Sequence, residues 1–375
     1  MNPIAEIIAT KEVIVCAGSG GVGKTTASAA IAMHAALEGK KAVVLTIDPA
    51  KRLASSLGLK ELSSEPTKVN NRKFTAAGLE PKGELWAMML DTKSTFDKVV
   101  ERYAPTPEQG QRILANKFYK SIAETLSGTQ EYMAMEKLYE LYADGGFDLI
   151  VIDTPPTRNA LDFLDAPKRV TDFLESRVLR WFLIPYMKAG GGIMRVANVA
   201  AMTFLKLVKK VVGAEVLQDT AEFFGNLEGM YDGFKQRAQD VAQLLQSKST
   251  SFIVVTSPSE DSVAEATFFA ARLNESRLPF GALVVNRVHP RWGEAIATKP
   301  RQFSKLEAGS DQARLLAKLL RNEAEFSAVV ALEEKNLDTL ARRIPRHRWV
   351  RVPYLEQEAV DFPGLVAITE QLLGR

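Results

Sequence analysis

Gly18-Ser19-Gly20-Gly21-Val22-Gly23-Lys24-Thr25 reads G-x-x-x-x-G-K-T, and the rest of the chain is organised around it. The β-branched run Val13-Ile14-Val15-Cys16 precedes it, and the helix-forming stretch Thr26 to His34 follows. Strand, glycine loop, helix is the context in which this pattern binds phosphate. Glycines let the backbone wrap an anion with several N–H groups turned inward. The helix N-terminus adds the positive end of its dipole. Gly20, Gly21, Val22, Gly23, Lys24, Thr25 and Thr26 are therefore the expected nucleotide cradle. Lys24 would reach the β- and γ-phosphates, and the Thr25 hydroxyl would ligate Mg2+.

Two acids stand where such a cradle needs them. Ala42 to Ile47 predicts a second buried strand, with Asp48-Pro49-Ala50 at its carboxyl end. Ligands of open α/β sheets sit beyond the carboxyl ends of the strands, so Asp48 is expected to face the nucleotide as a catalytic residue. Leu149-Ile150-Val151-Ile152-Asp153 is a buried strand ending in an acid, the pattern that places a carboxylate near Mg2+. Thr154-Pro155-Pro156-Thr157 follows, and its two prolines make a stiff loop suited to sensing the γ-phosphate.

Between and beyond these motifs the chain alternates. Leu85 to Leu90 predicts a third strand, and 92–145 a helical excursion. Residues 160–246 hold no strand candidate. There, Ile193, Val196, Ala200, Phe204, Leu207 and Val211 recur at helical spacing after Gly190-Gly191-Gly192. From Lys168 to Lys210 this insertion carries nine Lys or Arg against two acids, a net +7. Its Phe, Leu and Met residues suit either a helical core of its own or an adaptable apolar binding surface. Strands then return at Phe252 to Thr256, Ala282 to Asn286 and Trp349 to Val352. Helices are predicted at 261–274, 312–320, 323–340 and 365–373, with a polar loop over 288–311.

The expectation is an α/β fold, a doubly wound, mostly parallel sheet of a P-loop NTPase with an inserted helical subdomain. Its parts are a P-loop core over 1–159, a helical insertion over 160–246, and the second part of the core over 247–375. Net charge of +3 gives no reason to expect nucleic acid, and the single cysteine, Cys16, excludes an intrachain disulfide. No secretory signal or membrane-spanning run is read in the sequence, so a cytoplasmic protein, at most peripheral to a membrane, is expected.

The runs GSGGVGKTT, TIDPAKRL, DLIVIDTPPTRNALDFL and ALVVNRV together resemble the ArsA and guided-entry (tail-anchored protein targeting) ATPases. The likeness covers nearly the whole predicted sheet. It implies a dimeric ATPase that uses ATP and Mg2+. Asp48 matches the first-switch aspartate that orients the attacking water, in a loop that includes Pro49, Lys51 and Arg52. Asp153 matches the second-switch aspartate at the metal, and Thr154, Pro155 and Arg158 lie in the loop that senses the γ-phosphate. Asn286 matches the asparagine that reads adenine, and Pro353 the loop that closes over the base. The insertion over 160–246 sits where the family carries its client-binding subdomain, which implies handling of an apolar protein segment or a membrane-associated partner, and the net +7 between Lys168 and Lys210 suggests an anionic membrane surface or an acidic partner. Two departures stand out. Members of the family carry a lysine where this chain has Ser19, leaving open which cation crosses to the partner's phosphates and whether the dimer is a homodimer or pairs with a paralogue. There is also no Cys-x-x-Cys, so no zinc clamp is expected. A ParA/MinD-like positioning ATPase and a nucleotide-binding subunit of a heteromeric transport complex are the alternatives.

Overall fold

The β-branched run before the glycine loop forms strand β1 (Val13–Ala17), every residue of it buried, at the centre of an eight-stranded sheet. The computed structural model describes residues 2–47, 52–117, 119–120, 129–155, 219–220, 223, 230–291, 310–355 and 361–374. In chain order the elements are α1 (Pro3–Thr10), β1, α2 (Lys24–Leu37), β2 (Lys41–Thr46), α3 (Arg52–Ser56), β3 (Thr67–Lys68), α4 (Asn71–Ala76), β4 (Glu84–Met89), α5 (Thr92–Tyr103) and α6 (Pro107–Ala115). They continue as α7 (Thr129–Ala143), β5 (Leu149–Asp153), α8 (Tyr231–Gln246), β6 (Thr250–Thr256), α9 (Glu260–Glu275), β7 (Phe280–Val288), α10 (Asp311–Ala341), β8 (Trp349–Pro353) and α11 (Phe362–Leu373).

The strand order is β3-β4-β2-β5-β1-β6-β7-β8, parallel throughout except for the short edge strand β3. Parallel strands carry helices on both faces and so read as continuous apolar runs. The side chains confirm it. Val13, Val15, Val43, Leu45, Ile150 and Ile152 enter the apolar cluster on one face, with α5, α7, α8 and α9. Ile14, Cys16, Ala42, Val44, Leu149 and Val151 enter the cluster on the other, with α1, α2 and α11. Helix α2 is rich in alanine and buried nearly all round, because it lies between the sheet and α11.

The doubly wound, mostly parallel sheet expected from the sequence is what forms. Two helices expected at 312–320 and 323–340 are instead one helix of 31 residues, α10. Arg321-Asn322 contains neither proline nor glycine, and nothing there interrupts the backbone ladder. The residues 160–218 of the expected insertion lie outside the described residues. Its last part is α8, whose Phe234, Val241, Leu244 and Leu245 enter the core beside α7.

Candidate nucleotide site

The glycine loop leaves β1 and enters α2 through Gly23, which adopts a left-handed conformation at φ 96°. Side chains of Asn2, Asp91, Thr106, Ser259, Ser310 and Asp361 cap α1, α5, α6, α9, α10 and α11. No side chain caps α2. Its first turn therefore keeps its amides directed outward, where an anion is favoured. Among the described residues, the backbone N–H groups of Gly20, Gly21 and Gly23 make no hydrogen bond to a backbone carbonyl. That is the cradle a phosphate fits. Gly23 is fixed by packing as well as by conformation: a Cβ there would stand 2.3 Å from Asn286 Nδ2. At Gly18 a Cβ would stand 2.0 Å from the Val255 carbonyl oxygen.

Lys24 is buried, and its Nζ donates to the Ser19 carbonyl at 2.7 Å, so the ammonium is folded back across the loop. Thr25 Oγ1 donates to Asp153 Oδ2 at 2.7 Å, and Thr46 Oγ1 donates to the same oxygen at 2.9 Å. Asp153 is fully buried at the end of β5, and Thr46 sits opposite it in the β2–β5 register. Two hydroxyl groups and a carboxylate form a hard oxygen cluster at the helix start, and Thr25 with Asp153 could hold Mg2+.

Thr154 continues from β5 and is pinned to β1, its Oγ1 donating to the Cys16 carbonyl at 2.8 Å. It anchors the start of the loop that contains Pro155. Burial pushes the Cys16 thiol up to about 12, so this cysteine stays protonated inside the strand. Arg52 opens α3 and is exposed. Asp48, Pro49, Lys51 and Arg158 lie outside the described residues.

On the far side of the loop, Asn286 Nδ2 donates to the Val22 carbonyl at 2.8 Å, and Asn286 Oδ1 accepts from Arg287 N at 2.9 Å. Among the described residues these use one N–H and one lone pair of the amide, leaving the second of each for a ligand. Arg287 takes a left-handed φ of 60° in this corner. Pro353 pairs with Val288 across the β7–β8 ladder, which brings Asn286 and Pro353 to the same end of adjacent strands. Just beyond, Tyr354 stacks on His289 with ring centroids 5.2 Å apart and planes 9° apart.

Two residues at the site are missing from the sequence reading. Thr46 was detectable in principle, as the hydroxyl residue that ends β2 two positions before Asp48. Gln130 was not. Its Nε2 donates to the Ile47 carbonyl at 2.8 Å, from a helix 83 positions away.

A central parallel strand, a glycine loop opening an uncapped helix, and a buried aspartate beside the helix-start threonine define a P-loop NTPase. The model of the anion-transporting ATPase family matches residues 11–298, and the chain belongs to that family. It is similar to the "ATPase ASNA1 homolog" of Cryptosporidium parvum, 27% identical over 272 residues, which cover 72% of this chain and 63% of that one. It is also similar to "ATPase GET3C" of Arabidopsis thaliana, 26% identical over 340 residues, 88% of this chain and 78% of the relative. "ATPase GET3B" of the same plant is 24% identical over 342 residues, 89% of this chain and 76% of the relative. The family and these relatives make the protein an ATPase of the ArsA/guided-entry type. Among the described residues, no helix is long and apolar enough to cross a membrane.

Proposed function

We propose that the chain is a dimeric switch that hydrolyses ATP to ADP and phosphate and couples this to handling an apolar protein segment or a membrane-associated partner. The observation that carries the reading is Asp153 Oδ2, which gathers the Thr25 and Thr46 hydroxyls at the open N-terminus of α2. In this reading Thr25 and Asp153 would hold Mg2+, which would supply charge neutralisation to the phosphates. The amides of Gly20, Gly21, Val22 and Gly23 receive the phosphates. Lys24 exchanges the Ser19 carbonyl for a phosphate oxygen, a stronger partner because it is charged. Asp48 orients the attacking water. Pro49, Lys51, Arg52, Thr154, Pro155 and Arg158 form the loops that respond to the γ-phosphate. Asn286 turns its remaining N–H and lone pair to adenine, with Pro353 beside the base. Catalysis of this kind is positioning and charge stabilisation.

The core over 1–159 and 247–375 would carry this chemistry, and the insertion over 160–246 would carry the client. Its net charge of +7 between Lys168 and Lys210 suits an anionic membrane surface or an acidic partner. Ser19 lacks the cation that the family presents to the opposite subunit. In a homodimer Lys51 or Arg158 supplies it, and in a pair with a paralogue the partner's lysine does.

Hydrolysis by the full chain, measured against protein concentration, tests the reading. Lys24→Ala should weaken ATP binding. Asp48→Asn should keep binding and lower turnover by ~10²-fold or more, the scale of a positioned catalytic group. A rate per subunit that climbs with concentration supports a homodimer. A flat, near-zero rate with ATP tightly bound points to the paralogue. Equal turnover of wild type and Asp48→Asn overturns the assignment.

A further inference from the structure

Strand β8 ends the sheet beyond β7, and among the described residues no further strand pairs with its outer edge. The Tyr354 N–H donates to the Val288 carbonyl of β7 at 2.9 Å. Backbone groups alternate in direction along a strand, so Val350 and Val352 also turn theirs to β7, and Arg351 and Pro353 turn theirs to the open edge. Burial agrees: Val350 and Val352 are buried, and Arg351 is exposed. Pro353 has no N–H to leave unpaired there, which suits an edge. The edge therefore offers the N–H and the carbonyl of Arg351 to an incoming strand.

The chain around this edge is strongly basic. From Arg342 to Arg351 it holds five arginines and no acid, a net +5. Arg346 and Arg351 turn toward α10 and, with Arg291, Glu334 and Trp349, line an open cleft of about 530 Å³. Three arginines against one glutamate give that lining a net +2. Trp349 is its apolar wall: the indole N–H is satisfied by the Ile344 carbonyl at 3.1 Å, and the Arg346 guanidinium lies 5.3 Å from the ring centre. Both terminal nitrogens of Arg351 donate to Glu334, Nη2 at 3.1 Å, and Arg346 Nη2 donates to Asp338 at 2.6 Å. These pairs stand partly in water, where an ion pair is weak and exchanges readily. The hydrogen bond from Arg351, joined by the charges of Arg351, Arg346 and Arg291, holds the Glu334 carboxyl below the usual carboxylate range. The cleft is thus a place where guanidinium groups converge on a carboxylate.

We propose that the open edge of β8 docks an acidic, extended protein segment, which pairs with the Arg351 backbone and sets its carboxylates against Arg346, Arg351 and Arg291. Only a polypeptide can continue the ladder, because it alone meets an N–H and a carbonyl together. The guanidinium fork matches a carboxylate with two parallel bonds, as Arg351 already does with Glu334. A second copy of this chain would bring +5 against +5, so charge opposes self-pairing and selects an acidic strand. Charged residues and proline at an edge keep unselected strands away. Here the same residues set which strand is admitted. The surface does not depend on how ATP is bound or hydrolysed.

The test uses the full chain and a fluorescein-labelled peptide of alternating Glu and Val, with binding read by fluorescence anisotropy at low salt, where charge is least screened. Saturable binding is expected. Arg351→Ala and Arg346→Ala should each weaken it ~10-fold, the factor for one charge-assisted hydrogen bond. The same peptide with every backbone amide N-methylated keeps its carboxylates but has no N–H to donate, and should also bind at least ~10-fold more weakly. Hydrogen exchange over 349–353 should slow when the unmethylated peptide binds, because the Arg351 N–H gains an acceptor. If Arg351→Ala does not fold, Arg346→Ala and the methylated peptide decide. Absence of binding, or wild-type affinity in both variants, overturns the proposal. So does equal affinity for the methylated peptide, or exchange over 349–353 that the peptide leaves unchanged. Tighter binding of oligothymidylate or of phosphatidylserine vesicles, lost in the same variants, would assign the arginines to phosphate and overturn it as well.

Discussion

Arg237→Met isolates the buried pair that joins α7 to α8. Glu136 is 3% exposed at its side chain and Arg237 is 9% exposed, with 2.8 Å between the bonded atoms. At an effective dielectric of ~20, opposite charges 3–4 Å apart attract by about 4–6 kcal/mol. Deleting one partner of such a pair typically costs about 3–5 kcal/mol, because the remaining charge stays desolvated. A loss in that range is expected at pH 8. Burial already holds the Glu136 carboxyl above the usual carboxylate range, against the opposing pull of Arg237. Without Arg237 that carboxyl should rise further. An acid whose folded pKa exceeds its unfolded value favours the native state when protonated, and that stability fades as pH rises through the folded pKa. The cost of Arg237→Met should therefore be largest at pH 8 and shrink as pH falls toward the ordinary glutamate value. Urea unfolding at pH 8, 6.5 and 5, with the slope checked for constancy, measures it. The companion Glu136→Leu/Arg237→Met removes both charges and should recover most of the loss. A penalty below about 1 kcal/mol at pH 8, or one that does not change with pH, refutes the reasoning.

Two further outcomes follow from the loop and the strand behind it. Gly23→Ala places a Cβ 2.3 Å from Asn286 Nδ2 at a φ of 96°, a left-handed conformation that costs a non-glycine residue ~1–2 kcal/mol; titration calorimetry should show ATP affinity reduced at least tenfold, and wild-type affinity would deny Asn286 its place against the loop. Cys16 is fully buried, with its thiol pushed up to about 12, so a colorimetric thiol reagent at pH 8 should leave the native protein unlabelled and react only in guanidinium. Rapid labelling of native protein would contradict the burial of β1.

The sequence alone determined the sheet and its phosphate loop, because both are encoded locally. Val13 to Cys16 is apolar on every position, which only a strand covered on both faces requires. Gly18 to Thr25 spells its own conformation, since Gly21 and Gly23 take backbone angles that other residues resist. That an acid closes β5 beside the glycine loop was legible because Asp153 ends such a strand, and Thr25 Oγ1 meets it there. Helix boundaries were less legible: the sequence reads as two helices, 312–320 and 323–340, where α10 is one, because the backbone at Arg321-Asn322 has no reason to stop. Tertiary structure alone decided the contacts between distant segments. Thr46 reaches Asp153 only because β2 lies beside β5, a strand more than a hundred positions later. Asn286 reaches Val22, and Gln130 reaches Ile47, because crossover helices bring separate strand ends and a helix start to one crevice. A side-chain amide is compatible with exposed helix, core or site alike, so its residue type carries no signal until the sheet order is known. The same holds for Glu136 and Arg237, which read as ordinary charges on two amphipathic helices and become a buried pair only when α7 and α8 pack.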